Sequence, residues 1–286
     1  MTDNRTSNNE TKKYKLSIIT ICKNEPNVEK TCQSIVNQSF QDFEWIVIDG
    51  GSNKETQDIF EKYKYRINKF ISEKDKGIYN AYNKGVKLAS GEYISLLNAG
   101  DAYYSPDVLE KVFKDNNHKE DILYGEQQEV NSNNPKQCRL SHQPEKITKN
   151  FMITTTVLTP ASFIKKSLFD KYGLFNENYK VVSDYEQFVI FFKNDASFKH
   201  LDIIVSKFDT NGISSSKKYE ELHQKERNEV MNKYFSQEEI KQALDDYKDF
   251  SLAENIFSMT KTRGKTYKVL TILGLHLRIC KINKDK

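Results

Sequence analysis

Apolar residues along the chain fall into short runs separated by polar punctuation, and the runs alternate between two periods. Leu16-Ser17-Ile18-Ile19-Thr20-Ile21 is short, apolar and rich in β-branched residues, and it stops at Lys23-Asn24-Glu25-Pro26. That pattern predicts a buried parallel strand and its loop. Val28, Cys32, Ile35 and Val36 then recur at helical spacing. Phe43 to Asp49 predicts a second strand, closed by Gly50-Gly51-Ser52, and Thr56 to Tyr65 a helix. A third short strand is expected at 67–72. Ile78, Ala81, Tyr82, Val86 and Ala89 share one helical stripe, and Tyr93 to Leu97 reads as a fourth strand after the turn at Gly91-Glu92. The order β-α-β-α-β-α-β predicts an α/β domain with a mainly parallel sheet.

Beyond residue 105 the pattern is less regular. It predicts a helix at 107–114, a strand at 121–125, a polar loop over 131–150 and a helix at 165–172. A helix starting near Tyr185, a strand at 201–208, a turn at 209–212 and a charged, helix-prone stretch over 217–263 follow. The expected organisation is a disordered 1–13, a domain over 14–215, and a helical extension over 216–286. No internal repeat is present.

Composition narrows the function classes. Four cysteines among 286 residues show no CxxC spacing, which argues against a disulfide scaffold or a zinc site and for a reducing compartment. The N-terminus has no apolar h-region, and no apolar run reaches the length of a bilayer span. Net charge is +4, yet residues 261–286 hold eight Lys/Arg and one Asp. The basic character belongs to the tail, which argues against a nucleic-acid binder. Its apolar stretch, 269–282, is too short to span a bilayer and predicts a basic amphipathic helix on an anionic membrane surface. A packed C-terminal helix or a dimer contact is the alternative. Either way the chain is expected in the cytoplasm, with peripheral attachment to the inner face of the membrane in the first case.

Ligands of parallel sheets sit beyond the carboxyl ends of the strands, so the polar punctuation marks one candidate rim. Asp49, before two glycines, suits hydrogen bonding to a base such as uracil, or an Asx turn capping the next helix. Ser72 to Gly85 places charges, a glycine, Asn80 and Asn83 at a helix start, where free N–H groups favour anionic or polyhydroxy ligands. Ordinary capping is the alternative there. Asp101, closing Leu96-Leu97-Asn98-Ala99-Gly100-Asp101, can hold Mg²⁺ or Mn²⁺ when diphosphate and water supply the other ligands. It could equally cap a helix. Asp184, at a helix start among aromatics, suits a general base toward a hydroxyl nucleophile, with Glu186 as its competitor. There is no P-loop, no GxGxxG after a strand and no histidine motif.

Taken in order, these motifs resemble family 2 glycosyltransferases of the GT-A fold, in the branch acting on bacterial surface polysaccharides. The carriers are Lys15–Thr20 with Lys23-Asn24-Glu25, Ile48–Ser52, Ser72–Gly85, Gly91–Ile94 and Leu97–Asp101. The resemblance covers about residues 15–215. It implies a mixed sheet flanked by helices and an inverting, metal-dependent transfer from a nucleotide-sugar, most simply a UDP-sugar, to a glycan or lipid-linked acceptor. Residue by residue, it implies that Thr20, Cys22 and Glu25 line the nucleotide pocket and that Asp49 reads the base. Asp75, Gly77 and Asn83 would lie near nucleotide and donor sugar, Asn98 and Ala99 near the ribose, with Asp101 as metal ligand. Asp184 would be the base, and Asn211-Gly212-Ile213-Ser214 a loop closing over the diphosphate.

The sequence departs from the family pattern at Gly100, where an acidic residue is common, and at Thr159-Pro160, where a His-Gln pair often stands. These departures motivate a second expectation, a degenerate domain that binds carbohydrate or nucleotide as a partner subunit. A GT-A-like nucleotidyltransferase would want a Gly-rich basic phosphate loop near the N-terminus, which is missing.

Overall fold

The computed structural model describes residues 14–131, 134, 138–210, 217–261, 267–272 and 275–281, with side chains up to residue 248 apart from Lys217. Within these residues the chain divides into two compact units. One comprises 1–147 with 157–230, the other 148–156 with 231–286.

The first unit is built on a sheet. Strands β1 (Leu16–Cys22), β2 (Phe43–Asp49), β3 (Lys69–Ser72) and β4 (Tyr93–Leu96) are parallel in the spatial order β3-β2-β1-β4. The crossovers are helices α1 (Val28–Val36), α2 (Lys54–Lys62) and α3 (Ile78–Leu88). This is the alternation expected from the sequence. Every residue of β2 and β4 is buried, as the continuous apolar runs require of strands covered on both faces. Trp45, Ile18 and Phe43 are fully or almost fully buried in the core.

Past β4 the sheet becomes mixed. It is completed by β5 (Ala102–Tyr103), β6 (Ile122–Val130), β7 (Cys138–Ser141), β8 (Ser162–Lys165) and β9 (Phe198–Asp209). Strand β8 lies antiparallel between β4 and β6, β9 runs parallel to β6, and β5 pairs antiparallel with β9. Helices α4 (Val108–Phe113), α6 (Lys166–Tyr172) and α7 (Ser183–Lys193) fall where apolar spacing places them. Two elements depart from expectation. The strand expected at 121–125 runs on to Val130, because its polar second half, in which Glu126 and Gln127 are buried, is held by pairing with β7 and β9. β7 itself lies in the stretch expected to be loop, and its exposed edge position explains the absence of an apolar signal.

The second unit contains α5 (Lys149–Thr154), which the sequence left unassigned, and α9 (Gln237–Ile256). They are joined by Lys149–Glu239 at 2.9 Å and by Asn150 donating to Asp246 at 2.7 Å. Helix α8 (Glu220–Tyr234) precedes α9. The basic tail is not helical as expected. Phe257–Lys261, Tyr267–Ile272 and Leu275–Lys281 form an antiparallel three-stranded sheet, β10 to β12. Leu275-His276-Leu277-Arg278-Ile279 alternates with period two, the strand signature that a 3.6-residue reading passes over. No described helix is long and apolar enough to cross a membrane.

Candidate active site

The strand directions decide where the polar punctuation meets. β1 to β4 point one way, with Cys22, Asp49 and Ser72 in register at their carboxyl ends. β8 is antiparallel to both β4 and β6, and β9 is parallel to β6. So β9 runs with β4, and its last residue, Asp209, arrives at the same edge. A cavity of about 630 Å³ opens there. Its walls include Cys22, Lys23 and Glu25 after β1, Asp75 to Tyr79 at the start of α3, and Asn98 to Asp101 after β4. Thr159, Pro160, Val181, Asp184 and Asp209 are also among its lining residues.

The turn after β4 is fixed by α1. Thr31 donates to the carbonyl of Asp101 at 2.6 Å and accepts from the Gly100 N–H at 2.9 Å. Gly100 has φ +98°, a conformation that disfavours a side chain. Asn98 accepts from the Tyr82 hydroxyl at 2.6 Å. The Asp101 carboxylate is almost fully buried and accepts the Asp209 N–H at 3.0 Å. Burial pushes its pKa up to about 8, the Asp209 N–H opposes this, and the charges of Asp209 and Glu25 add to it. Carboxylate oxygens of this kind suit Mg²⁺ or Mn²⁺. Among the described residues no three acidic, His or Cys side chains converge to enclose an ion by themselves. The donor set therefore fits a cation that takes its remaining ligands from diphosphate and water.

Asp184 lies in the first turn of α7. Its Oδ1 accepts from the Tyr79 hydroxyl at 2.9 Å and the Tyr185 N–H at 3.0 Å, and its Oδ2 from the Thr159 hydroxyl at 3.0 Å. Its competitor Glu186 is buried and accepts from Asn176; it does not line the cavity.

At the start of α3, Asp75 accepts the Gly77 N–H at 3.1 Å and lines the cavity. Its carboxylate lies over Gly50, where a Cβ would collide with it. Gly77 itself has φ +135°. Asn83 is placed elsewhere. It donates to the Phe175 carbonyl and to Glu177, both at 2.9 Å, and accepts the Phe175 N–H at 3.0 Å. With its amide committed and its side chain buried, it anchors the 173–178 segment and does not line the cavity.

Two further expected positions are also withdrawn from the cavity wall. Thr20 accepts the indole N–H of buried Trp45 at 3.1 Å. Leaving that donor unpaired would cost about 1–3 kcal/mol, so the hydroxyl has a structural task. Asp49 is fully buried and accepts from the Ser52 N–H at 3.0 Å, Gln57 at 3.3 Å and Ser72 at 2.5 Å. The Asx-turn alternative is the one its geometry matches. Asn211 to Ser214 lie outside the described residues.

The structure adds residues that periodicity could not assign. Tyr79 and Thr159 reach Asp184, and Asp209 reaches Asp101. From α8, Glu226 accepts the Lys180 and Val181 N–H groups at 2.9 and 3.0 Å, and Arg227 lies over the Tyr185 ring at 4.1 Å. Burial holds the Arg227 guanidinium below its ordinary value, with Tyr185 and Asp184 opposing. Burial also lowers His223, as does Arg227, against the pull of Asp184.

With this geometry in view, the comparisons with known proteins are direct. The family model "Glycosyl transferase family 2" matches residues 17–173, more than half of the chain. A PGL/p-HBAD biosynthesis glycosyltransferase of Mycobacterium bovis is 29% identical over 185 residues, covering 63% of this chain and 70% of that protein. Among solved structures, TarS 1-349 of S. aureus in complex with UDP-GlcNAc superposes with TM-score 0.57 at 22% identity, over 68% of this chain and 58% of that one. The mannosyltransferase PcManGT of Pyrobaculum calidifontis, in complex with GDP-Man and Mn²⁺, gives 0.53 at 15%, over 70% and 58%. The chain thus spans less than two thirds of these solved chains, and at such identities the likeness carries the fold alone. Together with the family match, the ordered motifs gathered on one sheet edge identify the chain as a glycosyltransferase of family 2, with a GT-A fold.

Proposed function

We propose that the protein transfers a sugar from a UDP-sugar to a hydroxyl of a glycan or lipid-linked acceptor, with inversion, in the synthesis of a bacterial surface polysaccharide. One observation carries this reading. The Asp184 and Asp101 carboxylates face a single cavity of about 630 Å³, large enough for a nucleotide-sugar. The UDP-GlcNAc bound by TarS supports the donor class, and the mycobacterial relative is a glycosyltransferase of PGL/p-HBAD biosynthesis.

In this reading Asp184 accepts the proton of the acceptor hydroxyl as that oxygen attacks the anomeric carbon, and the nucleoside diphosphate departs on the opposite face. Cys22, Glu25, Asp75, Gly77, Asn98 and Ala99 contact the nucleotide and donor sugar. Lys23 and Lys76, exposed cations of the cavity wall, face the diphosphate. Asp101, with diphosphate and water supplying the other ligands, would hold Mn²⁺ or Mg²⁺, which when bound offsets charge on the leaving group. Calorimetric titration with UDP, GDP and dTDP in the presence of Mn²⁺ tests the donor class. UDP is expected to bind tightest; equal affinities, or tighter GDP, would contradict the UDP assignment.

A further inference from the structure

The hydrogen bonds around Asp184 distinguish its two oxygens. An ionised carboxylate offers about four lone-pair sites. Oδ1 accepts two donors, the Tyr79 hydroxyl at 2.9 Å and the Tyr185 N–H at 3.0 Å. Oδ2 accepts one, the Thr159 hydroxyl at 3.0 Å. Among the described residues the one remaining lone pair is therefore on Oδ2, and both Thr159 and Asp184 line the cavity.

We infer that Oδ2 is the atom that takes the acceptor proton and that Thr159 is the positioning residue that aims it. The inference rests on Asp184 being the base. Thr159 stands in a 3-10 turn, Thr159–Ala161, at the start of β8. Pro160 restricts the backbone of that turn, and the Ser162 hydroxyl closes it by donating to the Thr159 carbonyl at 2.9 Å. The side chain is buried, so its hydroxyl is held on a stiff support. Across the carboxylate, Tyr79 stacks on Phe175 at 5.9 Å and is equally fixed. Two hydroxyls from separate elements thus prevent the carboxylate from rotating about its last torsion. The Thr159-Pro160 departure from the family pattern becomes a built feature of this chain.

The proton leaves the acceptor oxygen as its bond to the anomeric carbon forms, and the bond from that carbon to the diphosphate oxygen breaks. Oδ2 carries the proton, and Thr159 keeps its own. The other groups facing Asp184 are Tyr79 and Tyr82 on α3 and His223 and Arg227 on α8.

The test uses the full chain and the UDP-sugar that the wild type hydrolyses fastest, with water as acceptor, from about pH 5 to pH 9. Thr159→Val is expected to lose kcat on the order of tenfold, with KM for the donor unchanged within about twofold. Thr159→Ser, which restores the hydroxyl, is expected to recover most of the rate. Melting temperatures establish that each variant is folded. A Thr159→Val enzyme with wild-type kcat, or a Thr159→Ser enzyme as impaired as Thr159→Val, would overturn the positioning role. Asp184→Asn, run in parallel, keeps the two claims apart. If it retains the wild-type rate, the base assignment itself fails. If it is inactive while Thr159→Val is unaffected, only the role of Thr159 is lost.

Discussion

The hydroxyl of Tyr79 donates to Oδ1 of Asp184 across 2.9 Å, joining residues 105 positions apart in the chain. Burial, with the Asp184 charge next, raises Tyr79 well above the ordinary phenol range, so it stays a donor at any working pH. The bond ties the first turn of α3 to the first turn of α7. In the proposed function it connects the side of the cavity assigned to the nucleotide with the side assigned to the acceptor.

Tyr79→Phe removes the donor and keeps the ring that packs on Tyr82 and Phe175. Hydrogen bonds to a charged group contribute about 1.5–3 kcal/mol, so kcat for donor hydrolysis is expected to fall by about tenfold or more. The melting temperature should change by only a few degrees. An unchanged kcat would show that the bond plays no part in the chemistry.

Asp101 gives a pH signature. Its pKa in the fold is about 8 against 3.8 in the unfolded chain. Between those values the unfolded chain releases a proton that the folded chain keeps. The residue's contribution to stability is therefore favourable below about pH 4 and is lost as pH rises to about 8. Asp101→Asn removes this dependence. Without metal, its melting temperature is expected to exceed that of the wild type by a margin that grows from pH 5 to pH 8. Adding UDP with Mn²⁺ should raise the wild type's melting temperature and the variant's much less. A margin independent of pH would contradict the burial argument.

Two glycines should fail in different ways. At Gly91 a Cβ would meet the backbone of Leu16 and Ser17, which cannot move aside. Gly91→Ala is expected to cost about 1–3 kcal/mol of stability and to leave UDP affinity intact. At Gly50 a Cβ would meet the Asp75 carboxylate, the free end of a side chain that can swing away. Gly50→Ala should melt near the wild type and bind UDP at least about tenfold more weakly, because the displaced Asp75 no longer lines the cavity. Thermal melts with calorimetry check both; the reverse pattern would remove Asp75 from the nucleotide site.

The first half of the fold is legible because each element there buries an apolar face. β1, β2 and β4 read as continuous apolar runs, and α1 and α3 as stripes. The pattern gives out where pairing holds polar residues, at β7 and the second half of β6, and in the tail, where period-two alternation sets strands in place of a helix. Of the positions the sequence singles out, Glu25, Asp75, Asn98 and Asp101 follow strand ends and Asp184 opens a helix, and all five line the cavity. Three other expected positions do not line the cavity and bond to neighbouring groups instead: Thr20 to Trp45, Asn83 to Phe175, and Asp49 to Ser52. Tyr79 and Arg227 escaped notice, and Thr159 was marked only as a departure from the family pattern, because their contacts join distant segments that local periodicity does not encode.

The central claim is that this cavity transfers sugar with Asp184 as the base. It is tested most directly by incubating wild type and Asp184→Asn with a panel of UDP-, GDP- and dTDP-sugars and Mn²⁺ and measuring nucleoside diphosphate release. The account predicts turnover of a UDP-sugar by the wild type and a loss of at least about a hundredfold in kcat for Asp184→Asn, with donor binding retained. No turnover of any sugar, or an Asp184→Asn enzyme as fast as the wild type, would contradict it.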